Sequence, residues 1–178
     1  IYLGVHDVTN FKGKDLLNND NTSVHSIHEA VTKSEVVLIA TPPTAIFKLL
    51  EQLGDLSNKI IIDATNSVMQ CPEPYKTVYH VLEDQTNAAV VKCFNTTGFE
   101  NMLHPIYHGE GIDMFMAGAS ARAKSVALQL STDAGFCSCI DFGKSDKVEL
   151  LEKLALSWIN LAIIQGHGRN MAFKIVRR

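Results

Sequence analysis

Three apolar segments of this chain end in small polar residues, and this pattern constrains the fold more than any other feature. Residues 90–94 form a mostly apolar run that leads directly into Asn95 and Thr96. Two other apolar runs end in the same way, one at Thr41 and one at Asn66. In an open parallel α/β sheet, ligands bind outside the carboxyl ends of the strands. The three strand ends are therefore predicted to share one ligand-binding cleft.

Apolar runs typical of buried strands alternate with segments of helical periodicity along most of the chain. Ser26 and Glu29 have the spacing of a capping box at a helix start, and Gly54 is placed to end the next helix. This alternation predicts an α/β fold with a doubly wound parallel sheet, followed by a small C-terminal helical region. The boundary is expected near Gly143. The predicted strands are residues 1–5, 35–40, 59–63, 88–94, 113–117 and 136–140.

Composition and charge narrow the range of partners. A net charge of -3 argues against nucleic acid or an anionic membrane as the main partner. The 4 cysteines form no CxxC pair, so we expect buried thiols in a reducing, cytoplasmic environment and no metal site. The apolar segment 150–164 is interrupted by polar residues and falls short of the roughly 20 residues of a membrane span.

Eight segments along the whole chain carry motifs in a fixed order: residues 3–7, 62–66, 91–96, 113–118, 135–136, 141–143, 165–169 and 173–174. Together they resemble the F420-dependent NADP oxidoreductase family, whose Rossmann domain is also similar to the cytosolic reductase domain of the STEAP metalloreductases. The resemblance implies a Rossmann-like NAD(P)-binding domain over residues 1–143, with residues 144–178 as the helical region. It also implies hydride transfer between NADP(H) and a flavin or a deazaflavin of the F420 type.

Two departures from the family pattern affect the predicted cofactor site. The family's glycine-rich phosphate turn is absent, so we expect roughly 20 or more residues before Ile1, which would supply that turn and a central strand beside residues 1–5. His6 stands where NADP-specific relatives carry Arg, and Asp7 beside it is of the type that binds a free ribose hydroxyl. Lys12 and Lys14 can restore positive charge. NADP(H) is favoured, with NAD(H) as the alternative.

The resemblance and the strand ends together give a set of expected cofactor contacts. Asn66 and Asn95 can donate and accept hydrogen bonds to a carboxamide or a ribose, although asparagine also forms ordinary turns. A catalytic residue is not predicted, because no acid–base or nucleophilic dyad is evident. His104, His108 and His167 are weaker candidates for substrate contact. The predicted cofactor-binding residues are His6, Thr41, Pro42, Asn66, Asn95 and Thr96.

The C-terminal helix predicts self-association. Its polar residues, among them Glu152 and Lys153, occupy one narrow arc of a helical wheel, and the apolar remainder includes Trp158. A surface helix needs only about 100° of apolar stripe, so the excess favours a homodimer that buries the helix around Trp158, with Glu152 and Lys153 at the solvent edge.

The predicted function is an NAD(P)-dependent oxidoreductase with a small-molecule hydride acceptor. The alternative is a non-catalytic dinucleotide-binding sensor or scaffold.

Overall fold

The structure is a computed structural model that describes residues 1–178. Nine strands and six α-helices follow one another along the chain. The strands are β1 (Tyr2–Val5), β2 (Ser23–Ser26), β3 (Val36–Ile39), β4 (Ile60–Asp63), β5 (Ala89–Cys93), β6 (Ile106–Tyr107), β7 (Glu110–Gly111), β8 (Asp113–Ala117) and β9 (Ser138–Asp141). The helices are α1 (Ile27–Lys33), α2 (Ile46–Leu53), α3 (Val78–Gln85), α4 (Phe99–Leu103), α5 (Ala121–Asp133) and α6 (Val148–Ile159).

A five-stranded sheet with the order β3-β4-β5-β8-β9 forms the centre of the fold. Strands β3, β4 and β5 are parallel, with Asp63 of β4 opposite both Ile39 of β3 and Lys92 of β5. All four residues of β4 are buried, as expected for a parallel strand covered on both faces. The predicted α/β class with a doubly wound, mostly parallel sheet is confirmed.

Strands β8 and β9 run in the opposite direction to β3–β5, which the sequence did not predict. Lys92 of β5 pairs with Ala117 of β8 in antiparallel register, and β9 is parallel to β8. The connection explains the reversal. A parallel crossover usually needs a helix long enough to return along the sheet, but α4 has only 5 residues and is followed by the short β6–β7 hairpin. The chain therefore enters β8 from the edge at which it left β5.

Strands β1 and β2 form a separate parallel pair, with Leu3 opposite Val24. β1 and β3 each have a hydrogen-bonded strand neighbour on one side only. Apolar side chains on both strands are half-exposed, including Tyr2 and Leu38. Strand β2 was missed by the sequence prediction because its residues, Ser-Val-His-Ser, contain no apolar run.

Helix α1 begins, and helix α2 ends, at the signal that the sequence predicted. Ser26 and Glu29 form both hydrogen bonds of the capping box at the start of α1. Gly54 follows α2 with φ 71°, a left-handed conformation that glycine adopts without steric cost.

Helix α6 packs into the same apolar cluster as the sheet, where Val148 and Leu151 join Ile61 of β4. The domain boundary near residue 143 stays a prediction.

Two apolar clusters cover the two faces of the central sheet. Ile61, on one face of β4, lies in the cluster with helices α3 and α6, while Ile62, on the other face, lies in the cluster with α5. Side chains alternate between faces along a strand. Lys92 is therefore on the α3 and α6 side of β5, since its neighbours Val91 and Cys93 belong to the α5 side. No helix is both long and apolar enough to cross a membrane.

Candidate functional site

The carboxyl ends of β3, β4 and β5 lie side by side, as the sequence predicted. The paired residues Ile39, Asp63 and Lys92 form one row across the three strands. Asn66 and Asn95 follow β4 and β5 and meet beyond this row, where Asn95 Nδ2 lies 3.5 Å from Asn66 Oδ1. The structure thus brings two of the predicted cofactor-binding residues together at one edge of the sheet.

Asn95 is held at the end of β5 by an unusual backbone turn. The preceding residue, Phe94, has φ 64°, a left-handed conformation that few non-glycine residues adopt. Asn95 itself is 4% exposed, and its Nδ2 donates to Glu152 Oε2 at 3.3 Å. Its Oδ1 is buried and has no hydrogen-bond partner. A buried oxygen without a partner is rare in proteins, so the Asn95 carbonyl is an available acceptor at this strand end.

The end of β3 carries a second polar atom without a partner. The side-chain Oγ1 of Thr41 is buried and makes no hydrogen bond. Pro42 after it has no backbone N–H, and its carbonyl accepts a hydrogen bond from Ala45 N at 3.0 Å, which forms a tight turn. Thr41 can both donate and accept a hydrogen bond. Strands β3 and β5, which flank β4, are thus each followed by a buried side-chain oxygen that has no hydrogen-bond partner.

Thr96 faces a different direction from Asn95. Its side chain is buried, and its Oγ1 lies 3.8 Å from Met114 Sδ on β8. The hydroxyl is therefore directed toward the neighbouring strand. The predicted contact of Thr96 with a cofactor stays a prediction.

A buried cluster of charged side chains lies beside Asn95, and sequence reasoning missed it. Lys92 is fully buried, and its Nζ lies 3.0 Å from Asp63 Oδ2 and 2.8 Å from Glu152 Oε1. It also donates to the backbone oxygen of Thr65. The placement of Glu152 at the solvent edge of α6 was wrong, since Glu152 is buried against Lys92. Two features of the sequence could have indicated this cluster: Lys92 lies inside an otherwise apolar run, and Asp63 ends the preceding strand.

Burial perturbs the ionisable groups of this region. Removal from water raises the pKa of Glu152, and the positive charge of Lys92 partly opposes that shift. On the α5 side of the sheet, burial raises the pKa of the Cys93 thiol, whose Sγ lies 3.8 Å from that of Cys139. The expectation of buried thiols holds for these two cysteines, while Cys71 and Cys137 are exposed.

His6 lies at the end of β1, in the smaller sheet. Its side chain is exposed, as are those of Lys12 and Lys14. Asp7 Oδ1 accepts hydrogen bonds from Thr9 N at 2.9 Å and Thr9 Oγ1 at 2.7 Å. The bond from the Thr9 hydroxyl is the main cause of a lowered pKa of Asp7. One oxygen of Asp7 is thus engaged by its own loop.

The weaker histidine candidates are all exposed. His108 has φ 51° in the turn between β6 and β7, and His104 and His167 lie outside the regular elements. A polar groove of about 670 Å³ elsewhere on the surface is lined by Tyr75, His80 and others, and by none of the predicted site residues. The described residues include no group of three or more His, Cys, Asp or Glu side chains that could hold a metal ion.

A comparison with known protein families matches the part of the chain that contains the ends of β3 and β4. The model of the family described as "NADP oxidoreductase coenzyme F420-dependent" matches residues 12–67. This match confirms the predicted resemblance to the F420-dependent NADP oxidoreductases. The matched segment contains Thr41, Pro42 and Asn66, whereas His6, Asn95 and Thr96 lie outside it. No curated protein matches the chain.

Solved structures share the fold. A candidate F420-dependent NADP reductase from Arthrobacter sp. is 23% identical, with a TM-score of 0.84, over 99% of this chain and 88% of that one. A reductive aminase from Aspergillus terreus, in complex with NADPH and ethyl levulinate, is 15% identical with a TM-score of 0.66, over 93% of this chain and 54% of the other. An imine reductase from Streptomyces aurantiacus is 12% identical with a TM-score of 0.62, over 92% and 53%.

Proposed function

We propose that the protein is an NADP(H)-dependent oxidoreductase whose nicotinamide site lies at the carboxyl ends of β3, β4 and β5. The observation that carries this proposal is the buried, unpartnered Oδ1 of Asn95. It lies at the edge of the sheet where α/β folds bind their ligands. A carboxamide N–H or a ribose hydroxyl would satisfy it, and both groups occur on the nicotinamide half of the cofactor.

Thr41, which follows β3 on the other side of β4, strengthens this assignment. Its Oγ1 is also buried and unpartnered, so the fold leaves two polar atoms for a ligand at strands that flank β4. Asn66, which is exposed between them, can reach the same ligand. In this arrangement Thr41, Asn66 and Asn95 bind and orient the ring, and Pro42 stiffens one wall of the cleft. These residues have no acid–base role.

The comparisons support a dinucleotide as the ligand. The matched family is described by its NADP and F420 dependence, and the Aspergillus terreus enzyme was solved with NADPH. The bound nicotinamide supplies the hydride, and the protein needs mainly to hold donor and acceptor in close, ordered contact. By the family resemblance, we propose a flavin or a deazaflavin of the F420 type as the acceptor.

The preference for NADP(H) over NAD(H) rests on the end of β1. His6, Lys12 and Lys14 are exposed and can approach a 2′-phosphate, while Asp7 can accept a bond from a free ribose hydroxyl. Three basic side chains outweigh one carboxylate that already accepts bonds from Thr9. NADP(H) is therefore the proposed cofactor, and NAD(H) remains the alternative.

Self-association is proposed through the exposed face of the C-terminal helix. Trp158 is 3% exposed, and its Nε1 donates to Met171 O at 2.7 Å within the same chain, so Trp158 itself is not free to form the interface. The exposed large apolar residues of the segment 148–164 are Leu150, Leu156, Ile163 and Ile164. A homodimer would bury them.

Steady-state oxidation of NADPH with flavin mononucleotide, flavin adenine dinucleotide and F420 as acceptors tests the proposal. Turnover with at least one acceptor is expected, and Asn95→Ala should lower the turnover per folded molecule by more than it lowers stability. Asn87→Ala, at an exposed position before the amino end of β5 and thus at the opposite end of that strand from Asn95, is the control. Tight NADPH binding without turnover would favour the non-catalytic sensor or scaffold, and no NADPH binding would refute both.

A further inference from the structure

The buried charged cluster joins three elements of the fold beside the proposed nicotinamide site. Lys92 comes from β5, Asp63 from β4 and Glu152 from α6. One ammonium group thus faces two carboxylates at 3.0 and 2.8 Å, and all three side chains are almost completely buried. Such a cluster is a costly way to stabilise a core, because apolar residues of similar volume often serve as well. A role of the cluster beyond stability is therefore expected.

Each oxygen of the Glu152 carboxylate has a defined set of partners. Oε1 faces Lys92 Nζ at 2.8 Å and accepts from the backbone N–H of Ser67 at 3.2 Å. Oε2 accepts from Asn95 Nδ2 at 3.3 Å. An ionised carboxylate only accepts hydrogen bonds, so the Asn95 amide must turn its nitrogen toward Glu152. Its oxygen is then directed away from Glu152 and has no partner in the protein.

We propose that Glu152 is a positioning residue that fixes the orientation of the Asn95 amide and so makes the strand end a hydrogen-bond acceptor. Lys92 acts with it, because it holds the Glu152 carboxylate in place and favours its ionised form. This inference rests on the proposed nicotinamide site. It also predicts the ligand specificity of the site: the ligand group that contacts Asn95 Oδ1 must be a hydrogen-bond donor, such as the amino group of the nicotinamide carboxamide.

An analogue of the cofactor makes this rule measurable. In the reduced 3-acetylpyridine analogue of NADP, an acetyl group replaces the carboxamide, so the ring carries an acceptor and no donor. The wild-type protein should bind NADPH about tenfold more tightly than this analogue, a factor typical of one buried hydrogen bond. Equal affinities of the wild-type protein for the two ligands would overturn the inference without the use of any variant.

Glu152→Gln should remove or reverse the preference for NADPH over the analogue, because glutamine has nearly the same shape as glutamate but carries a donor. The new side chain would keep its oxygen toward Lys92 and Ser67 N, and its Nε2 would then face Asn95. Two N–H donors repel each other, so the Asn95 amide would rotate and present Nδ2 to the ligand. Fluorescence titration of the full-length protein should show that the roughly tenfold preference for NADPH is lost or inverted. Glu149→Gln, on the same helix but exposed in an ion pair with Lys76, is the matched control.

A second substitution should restore the wild-type preference. In Glu152→Gln/Asn95→Asp, one oxygen of the new aspartate accepts from the glutamine and the other faces the ligand as an acceptor. The number of charges in the cluster is the same as in the wild type. A purely structural role of Glu152 predicts no such rescue of ligand preference.

The outcomes separate this inference from the proposed function. A wild-type protein that binds no NADPH removes the site and the inference together. A wild-type protein that prefers NADPH over the analogue, with a folded Glu152→Gln variant that keeps the same preference, leaves the site intact and overturns only the role of Glu152. Loss of preference in Glu152→Gln, recovery in the double variant and no change in Glu149→Gln establish it.

Discussion

Replacement of Lys92 by methionine should destabilise the fold far more than the same change at an exposed lysine. Lys92→Met removes the cation of the buried cluster and leaves the carboxylates of Asp63 and Glu152 buried without a counter-charge. Removal of one partner of a buried ion pair costs about 3–5 kcal/mol. Lys76, whose ion pair with Glu149 spans 3.3 Å between largely exposed side chains, is the matched control. Lys76→Met should cost at most about 1 kcal/mol.

Equilibrium unfolding in urea measures both changes. The chain has 1 tryptophan, Trp158, which is buried in the folded state, so its emission should shift to longer wavelength on unfolding. The variants should lower the midpoint with little change in the slope, which reports the surface exposed on unfolding. Adding Glu152→Gln to Lys92→Met should recover part of the loss, since it removes one of the two unpaired charges. Equal destabilisation by Lys92→Met and Lys76→Met would refute the buried cluster.

Three further predictions concern cofactor choice, pH and assembly. His6→Arg should raise the ratio of NADPH to NADH affinity, since a guanidinium binds phosphate bidentately; an unchanged ratio would place His6 away from the 2′ position. Because burial raises the pKa of Glu152, its protonation favours the folded state at low pH, and this stability is lost as pH rises through the raised pKa. The free energy of unfolding of the wild type should therefore fall with rising pH relative to that of Glu152→Gln, as measured by urea titrations at several pH values. Equal dependence of the two proteins on pH would contradict this. Ile164→Lys should shift light scattering from dimer to monomer, and a wild-type monomer at micromolar concentration would contradict the dimer.

Much of the sheet could be predicted because its strands have a local signature. The apolar runs that became β3, β4 and β5 are bounded by turn residues, and strand ends in a parallel sheet must share one edge. The same reasoning predicts that Asn66 and Asn95 lie together, as they do in the structure. It could not give the reversal of β8, because an apolar run carries no direction. Direction is set by the length of the connection, here the short α4 and the β6–β7 hairpin.

The buried charged cluster lies beyond what periodicity can predict. Glu152 falls on the polar arc of the α6 wheel, and a polar arc ordinarily faces solvent. Its partner Lys92 is 60 positions earlier in the sequence, and only the packing of α6 on the sheet brings the two together. The same contact determines which atom of Asn95 remains free. The sequence thus predicts that asparagine side chains lie at the site. Whether the oxygen or the nitrogen of the Asn95 amide faces the ligand depends on the contact with Glu152, which only the tertiary structure provides.

Titration of the isotopically labelled full-length protein with NADPH, followed by amide NMR, tests the central claim most directly. The side-chain amide signals of Asn66 and Asn95 and the backbone amide of Thr41 should shift together and saturate at one common dissociation constant. The signal of the exposed Asn87 side chain, at the other end of β5 from Asn95, should stay unchanged. Shifts that leave the three strand ends unaffected, or that cluster instead on the polar groove around Tyr75 and His80, would contradict a nicotinamide site at the ends of β3, β4 and β5.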